Sequence, residues 1–357
     1  MLAAQEKSPE RLLIVAPSWV GDATMATPAF RAIADAWPRC RRTLLCRPGI
    51  DAVLASLPEF DEIIVDRLGG PLGPLRGASK LRSLRAEVAI LFPNSFRAAL
   101  AVRIAGIPRR VGYARDGRGI LLTDRVTSPP TSRPASTLDF YCDLVERGLG
   151  IPVTDRRPQL AVSEADRAAA ETALGATAMS GERYALLVPG GNNPAKRWPP
   201  ERFARIAEHL AKRHGLSIVA AGSPGEREVI DSIVRECSVP VMNLAAAPTG
   251  KPLGLGGLKA VVAGARAIVT NDTGPRHFAA AFAVPTVALF GPTDHRWTVL
   301  RDVPERLLIA EPFLPEELMA DDRPTLCRID RISVGDVAGA IDALLARAPN
   351  GSPAPAQ

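Results

Sequence analysis

The feature that most constrains this chain is an alternation. Short apolar runs, each long enough for one strand, give way to amphipathic stretches of helical spacing, and the pattern recurs from end to end. In the first half the strand-like runs are Leu12–Ala16, Thr43–Cys46, Glu62–Val65, Val88–Phe92 and Arg110–Tyr113. After a gap they resume at Tyr184–Val188, Ser217–Ala221, Ala267–Asn271, Pro285–Phe290 and Arg306–Ala310. Between them helical patterns cover Thr27–Trp37, Ser95–Ala105, Pro199–His214, Gly225–Glu236 and Arg276–Ala283. Strands that are apolar throughout have both faces covered, so the pattern predicts parallel sheets flanked by helices, an α/β fold.

With 357 residues the chain is too long for one ordinary domain, and roughly 150 residues per domain gives two. The alternation weakens between Thr123 and Gly181, where Pro129, Pro130, Pro134, Pro152 and Pro158 precede an Ala-rich helix, Glu164–Leu174. The expected organisation is a first domain over residues 1–175 and a second over 176–330. A closing helix over 331–347, centred on Val334–Ala346, is expected to pack back toward the first domain, and the Pro/Gly/Ser/Ala tail 348–357 to be disordered. Two doubly wound domains facing each other across a cleft would present the loops at the carboxyl ends of their strands, where open α/β sheets bind ligands.

Composition narrows the partners. There are 44 basic and 38 acidic residues, a net charge of +6 with a pI near 9.3. That balance suits an anionic ligand or a membrane surface and is too weak to argue for nucleic acid. An apolar content of 46% excludes wholesale disorder. Apolar runs of at most about seven residues are too short to cross a bilayer. The polar start, Met1 to Arg11, does not read as a secretory signal, so a soluble, cytoplasmic protein is expected. Five scattered cysteines without a C-x-x-C pair, and only four histidines, predict neither a disulfide framework nor a metal cluster. No cofactor is expected.

Four loops carry the residues that point to chemistry. The first strand runs into Ala16-Pro17-Ser18-Trp19-Val20-Gly21-Asp22, where Gly21 permits an unusual turn and Asp22 enters a helix. Asp22 is either an N-cap or a carboxylate base that takes a proton from a hydroxyl nucleophile. No G-x-G-x-x-G follows this strand, so a dinucleotide site is not supported. In the second half, Pro189-Gly190-Gly191-Asn192-Asn193-Pro194-Ala195-Lys196-Arg197-Trp198-Pro199 combines a Gly-rich loop, a lysine and a Pro-started helix, the parts of an anion site. Alone it would read as a tight surface turn with solvated Lys196. A similar loop follows at Thr270-Asn271-Asp272-Thr273-Gly274-Pro275-Arg276-His277, where hydroxyl and N–H groups open a helix and His277 adds a donor one turn inside. The Asp272-Thr273-Gly274 triplet matches an aspartic-protease signature, which the α/β pattern argues against. Between these loops, Gly222-Ser223-Pro224-Gly225-Glu226 places an acid at the sheet edge, as a ribose partner or as a capping charge. Together the three loops of the second half read as a nucleotide-diphosphate site, with the Asp22 loop in the other domain. Arginines cluster in the first half at Arg39, Arg41, Arg42 and Arg47, then at Arg97, Arg103, Arg109, Arg110, Arg115 and Arg118, either as a solvated face or as a surface for a multiply anionic acceptor.

These blocks resemble the family 9 glycosyltransferases, the ADP-heptose:lipopolysaccharide heptosyltransferases, from Leu12 to about Trp297. The resemblance rests on Pro17–Asp22, Ala195–Pro199, Asn271–His277 and Phe290-Gly291-Pro292-Thr293-Asp294, and the first two blocks look most like the heptosyltransferase II branch. It implies a GT-B fold of two Rossmann-like domains, acceptor on the first and nucleotide sugar on the second, with inverting transfer and no required metal. Carried onto matching positions, it implies Asp22 as general base and Lys196 as the charge that stabilises departing ADP. It places Gly190, Asn192, Lys196, Glu226, Asp272, Thr273, Gly274 and His277 around ADP-heptose. The acceptor, a lipid-anchored anionic saccharide at the inner face of the inner membrane, would meet Ser18, Trp19, Arg97 and Arg115, with the protein peripheral to the membrane. The chain departs from the family after Asp294, where only Cys327 remains of a cysteine-containing stretch, and at the longer, Gly-rich Thr249–Gly257. Rival readings are a family 9 transferase for another sugar or a protein acceptor, a non-catalytic nucleotide-sugar-binding protein, and a GT-B-type sugar epimerase.

Overall fold

The computed structural model describes residues 8–128, 135–175, 183–246, 250, 252–311, 313–314 and 325–347. The chain divides into two compact units, the first ending at Pro158 and the second continuing from Gln159, with Ser136 also in the second.

The first unit contains a six-stranded sheet of β1 (Arg11–Val15), β2 (Arg41–Cys46), β3 (Glu62–Val65), β4 (Val88–Leu91), β5 (Arg109–Tyr113) and β6 (Asp124–Val126). The strand order is β3-β2-β1-β4-β5-β6, and every pair is parallel. The second unit repeats the design with β7 (Tyr184–Val188), β8 (Ser217–Ala220), β9 (Val241–Asn243), β10 (Ala267–Asn271), β11 (Thr286–Phe290) and β12 (Glu305–Ile309). Its order is β12-β11-β10-β7-β8-β9, again wholly parallel. Both sheets have the dinucleotide-fold order, in which the connection reverses between the first and fourth strands and leaves a crevice beyond their carboxyl ends. Those strands are β1 and β4 in one unit, β7 and β10 in the other.

Local sequence explains the elements. The four residues of β4 and the five each of β7 and β11 are all buried, the expected outcome for apolar strands covered on both faces. Helix Pro200–His214 starts on a proline, turns Phe203, Ile206, Ala207 and Leu210 into the second core, and stops at Gly215 in the left-handed region, φ 62°. Lys212, Arg213 and His214 occupy its last turn, where the helix dipole favours cations.

Several expectations are revised. The first unit gains β6, and the second β9, both three-residue edge strands. The stretch read as a bridge contains helix Thr137–Leu149, which buries Leu138, Tyr141, Cys142, Leu144, Val145 and Leu149. Helix Glu164–Leu174 belongs to the second unit rather than the first: Asp166 closes a capping box with Ser163 and pairs with fully buried Lys259 at 3.2 Å. Lys259 lies on helix Leu255–Gly264, and the Gly-rich segment before it serves this packing. A Cβ on Gly256 would fall 1.9 Å from Asp166 Oδ1, so only glycine lets the two helices approach. Thr249 and Lys251 of that segment, and the tail 348–357, lie outside the described residues. The closing helix Val334–Arg347 buries Val337, Ile341 and Leu344 in the second core. All five cysteines are free thiols.

Candidate functional site

In the second unit, β7, β8, β10 and β11 release their loops at one edge of the sheet. The β7 loop is shaped by Glu226. Its Oε1 accepts from the Gly191 N–H at 2.6 Å, while Oε2 accepts from the Ser223 N–H and Oγ at 2.7 and 2.8 Å. The carboxylate therefore caps its own short helix, as the simpler reading held, and also braces the glycine loop. A Cβ on Gly190 would lie 2.1 Å from Glu226 Oε1, so the brace requires glycine there. Asn192 is exposed at the tip.

Lys196 is placed by its neighbours. Asn193 caps the short turn Pro194–Lys196 by accepting from the Ala195 N–H, and Arg197 Nε donates to Gly191 O. Trp198, fully buried, anchors the loop in the core and donates from Nε1 to Ile332 O at 3.0 Å. Buried Asn271 ties the β7 and β10 loops together: its Nδ2 donates to Pro189 O and Gly190 O, and its Oδ1 accepts from the Trp198 N–H. Nothing local in the sequence marks Asn271 for this role, because its partners lie 73 to 82 positions away.

Asp272 is expected from the sequence to line the diphosphate, yet it is an anion beside two cations. Its Oδ2 lies 3.6 Å from Lys196 Nζ, and its Oδ1 lies 3.7 Å from Arg276 Nη1. Arg276, fully buried, is held by Glu305 at 2.7 and 2.8 Å and stands over the Phe290 ring. In this arrangement Asp272 orients Lys196. Thr273 precedes helix Gly274–Ala281 with its hydroxyl 3.2 Å from that of Thr270. His277 is buried, and desolvation, helped by the Arg276 charge, lowers its pKa to about 3. It is a neutral imidazole and supplies no positive charge; its Nδ1 has no hydrogen-bond partner among the described residues.

In the first unit, helix Val20–Met25 opens at Trp19, which makes no side-chain cap. Asp22 is thus in the first turn rather than at the cap, and Gly21 lies within the helix rather than in an unusual turn. The Asp22 carboxyl, half-buried, is raised to about 6 by desolvation and partly drawn back by a hydrogen bond from the Tyr141 hydroxyl. Tyr141, from helix Thr137–Leu149, escaped the sequence reading because nothing local links it to Asp22. Its signal was the helical spacing of Leu138, Tyr141, Cys142, Val145 and Leu149.

Ser18 and Arg97 line one pocket at the carboxyl ends of β1, β2 and β4, together with Arg47, Arg67 and Ser95. Trp19 is 68% exposed, and neither it nor Arg115 lines that pocket. Three arginines of the 97–118 cluster are structural. Arg118, fully buried, donates to the carbonyls of Tyr113 and Pro93; Arg110 donates to those of Ile107, Pro108 and Leu121; Arg109 pairs with Asp124 at 3.0 Å.

The chain is similar to known proteins. Residues 75–305 match glycosyltransferase family 9 (heptosyltransferase). Lipooligosaccharide heptosyltransferase 2 of Haemophilus influenzae is 32% identical over 301 residues, covering 80% of this chain and 85% of its own. Lipopolysaccharide heptosyltransferase 2 of Escherichia coli is 30% identical, covering 81% and 84%. The structure of E. coli ADP-heptose LPS heptosyltransferase II superposes with a TM-score of 0.78 at 27% identity, over 94% of this chain and 99% of that one.

Proposed function

The chain belongs to glycosyltransferase family 9, the heptosyltransferases, and we propose that it moves a heptose from ADP-heptose to a lipopolysaccharide core acceptor. The acceptor hydroxyl attacks the anomeric carbon, its proton passes to Asp22, and the bond to ADP breaks with inversion. A carboxylate with a pKa near 6 suits this: it is ionised at neutral pH and still basic enough to take the proton. Lys196 stabilises charge on the departing diphosphate, and Asp272 keeps the ammonium in place. Gly190, Asn192, Thr273 and Gly274 lie on loops of the same sheet edge as Lys196 and serve the donor. Glu226 acts first by shaping the glycine loop, and His277 as a neutral neighbour.

The Ser18–Arg97 pocket, with Arg47 and Arg67, offers an acidic acceptor guanidinium groups and hydroxyls. Trp19, exposed at the start of the Asp22 helix, supplies an apolar face, and Arg115, outside the pocket lining, a further positive charge. A lipid-anchored acceptor is met at the bilayer surface, and no described helix is long and apolar enough to cross a membrane. The observation that carries the catalytic assignment is the Asp22 carboxyl, desolvated and hydrogen-bonded to Tyr141. Calorimetric titration with ADP-heptose, and with UDP-sugars and GDP-mannose as controls, tests the donor. Selective ADP-heptose binding that weakens in Lys196→Ala is expected; preference for another nucleotide sugar would overturn the heptosyl assignment.

A further inference from the structure

A group of residues that the transfer chemistry does not use gathers at the opposite edge of the second sheet. His209 and His214 lie near the end of helix Pro200–His214, and Asp342 lies on helix Val334–Arg347. His209 Nε2 and His214 Nε2 are 2.8 and 2.6 Å from the same oxygen, Asp342 Oδ1. Arg213 Nε takes the other oxygen, Oδ2, at 3.0 Å. Side chains five residues apart on a helix diverge by about 140°. The two rings therefore meet only because Asp342 reaches between them from the second helix. The sequence predicts no metal cluster from four histidines, yet the three ligand atoms lie within 4.8 Å of one another.

We propose that His209, His214 and Asp342 form a binding site for a divalent transition ion, zinc foremost, that clips the closing helix to helix Pro200–His214. Two imidazoles and a carboxylate are the donor set of zinc and its neighbours rather than of magnesium or calcium. Zinc bonds of about 2.0–2.2 Å at a tetrahedral centre put ligand atoms roughly 3.3 Å apart, so the carboxylate has to withdraw by about half an ångström. Arg213, holding the outer oxygen, is the second partner that a ligating carboxylate needs to stay oriented. On the open side, His214 and Asp342 share a pocket with Arg183 and Arg266, a basic surface suited to water, hydroxide or a small anion as fourth ligand. The alternative is a His–Asp–His hydrogen-bonded cluster, which needs a proton on each Nε2; a metal displaces both.

The test uses the full chain without an affinity tag, stripped with chelator, desalted and titrated with Zn²⁺ by calorimetry. One equivalent is expected to bind, with the thermal midpoint raised by about 5 °C at saturation. Cobalt in place of zinc should give the intense visible bands of a tetrahedral site. His209→Gln and His214→Gln, which keep a hydrogen-bond donor for Asp342, should each weaken binding by roughly 30-fold or more while heptosyl transfer stays at the wild-type level. Zinc binding weaker than about 1 mM, or binding that survives both substitutions, overturns the proposal. If either variant fails to fold, the cobalt spectrum and zinc-induced shift of the wild type decide alone.

Discussion

Replacing Asp22 by Asn should slow transfer severely and stabilise the protein at the same time. Desolvation lifts this carboxyl from 3.8 to about 6, a penalty of ~3 kcal/mol on its charged form. Opposing it is the position of Asp22 in the first turn of a helix, worth at most about 1 kcal/mol to an anion. Partial exposure trims the penalty, which leaves a net gain of ~1–2 kcal/mol for a neutral isostere that can still accept from Tyr141. The pH dependence follows from the direction of the shift. Between pH 4 and 6 the folded state holds a proton that the unfolded state has already lost, so wild-type stability falls as pH rises through that window. Asn does not titrate, so the stability gap should be small below pH 4, open between 4 and 6, and stay constant above. Denaturant unfolding at pH 4, 5, 6 and 7.5 measures it. Transfer should drop by about 10²–10⁴, the usual contribution of a positioned base, while ADP-heptose affinity is unchanged. A variant that is less stable at pH 7.5, by an amount independent of pH, would refute the reasoning and make Asp22 a structural carboxylate.

Tyr141→Phe removes the hydrogen bond that favours ionised Asp22, so the acid limb of the transfer-rate profile should move to higher pH while the plateau rate is nearly kept; an unmoved limb would leave Tyr141 a packing residue. Gly190→Ala must displace the Glu226 carboxylate and free the Gly191 N–H, so titration should show ADP-heptose affinity lower by roughly tenfold or more at near-normal melting temperature. Asn271→Ala strands two carbonyls and an N–H in a buried place, and thermal or denaturant unfolding should show a loss of ~2–4 kcal/mol.

Much of the fold is legible in the sequence because periodicity reports burial. Ten of the twelve strands coincide with strand-like runs of the sequence, most sharply where both faces are covered, as in β4 (VAIL, all buried). The two that escape, β6 and β9, are three-residue edges whose Asp124, Arg125 and Asn243 leave no such run. Helix Thr137–Leu149 was obscured by the prolines on either side of it, although its apolar spacing is regular.

The loops that carry the candidate donor site were also readable, because glycines after a strand and a proline at a helix start have local backbone meaning. Their couplings were not. Glu226 bracing a loop 35 positions away, Asn271 tying two loops, Asp272 restraining Lys196 and Tyr141 meeting Asp22 each join residues that only the fold makes neighbours. The same holds for His209, His214 and Asp342, separated by up to 133 positions in the chain. By itself the sequence determined which apolar runs are buried, which turns are possible and which chemical groups are available. The tertiary structure decided which groups stand within 4 Å of one another, because that distance depends on strand order and helix packing, and a pKa or an ion pair depends on the distance.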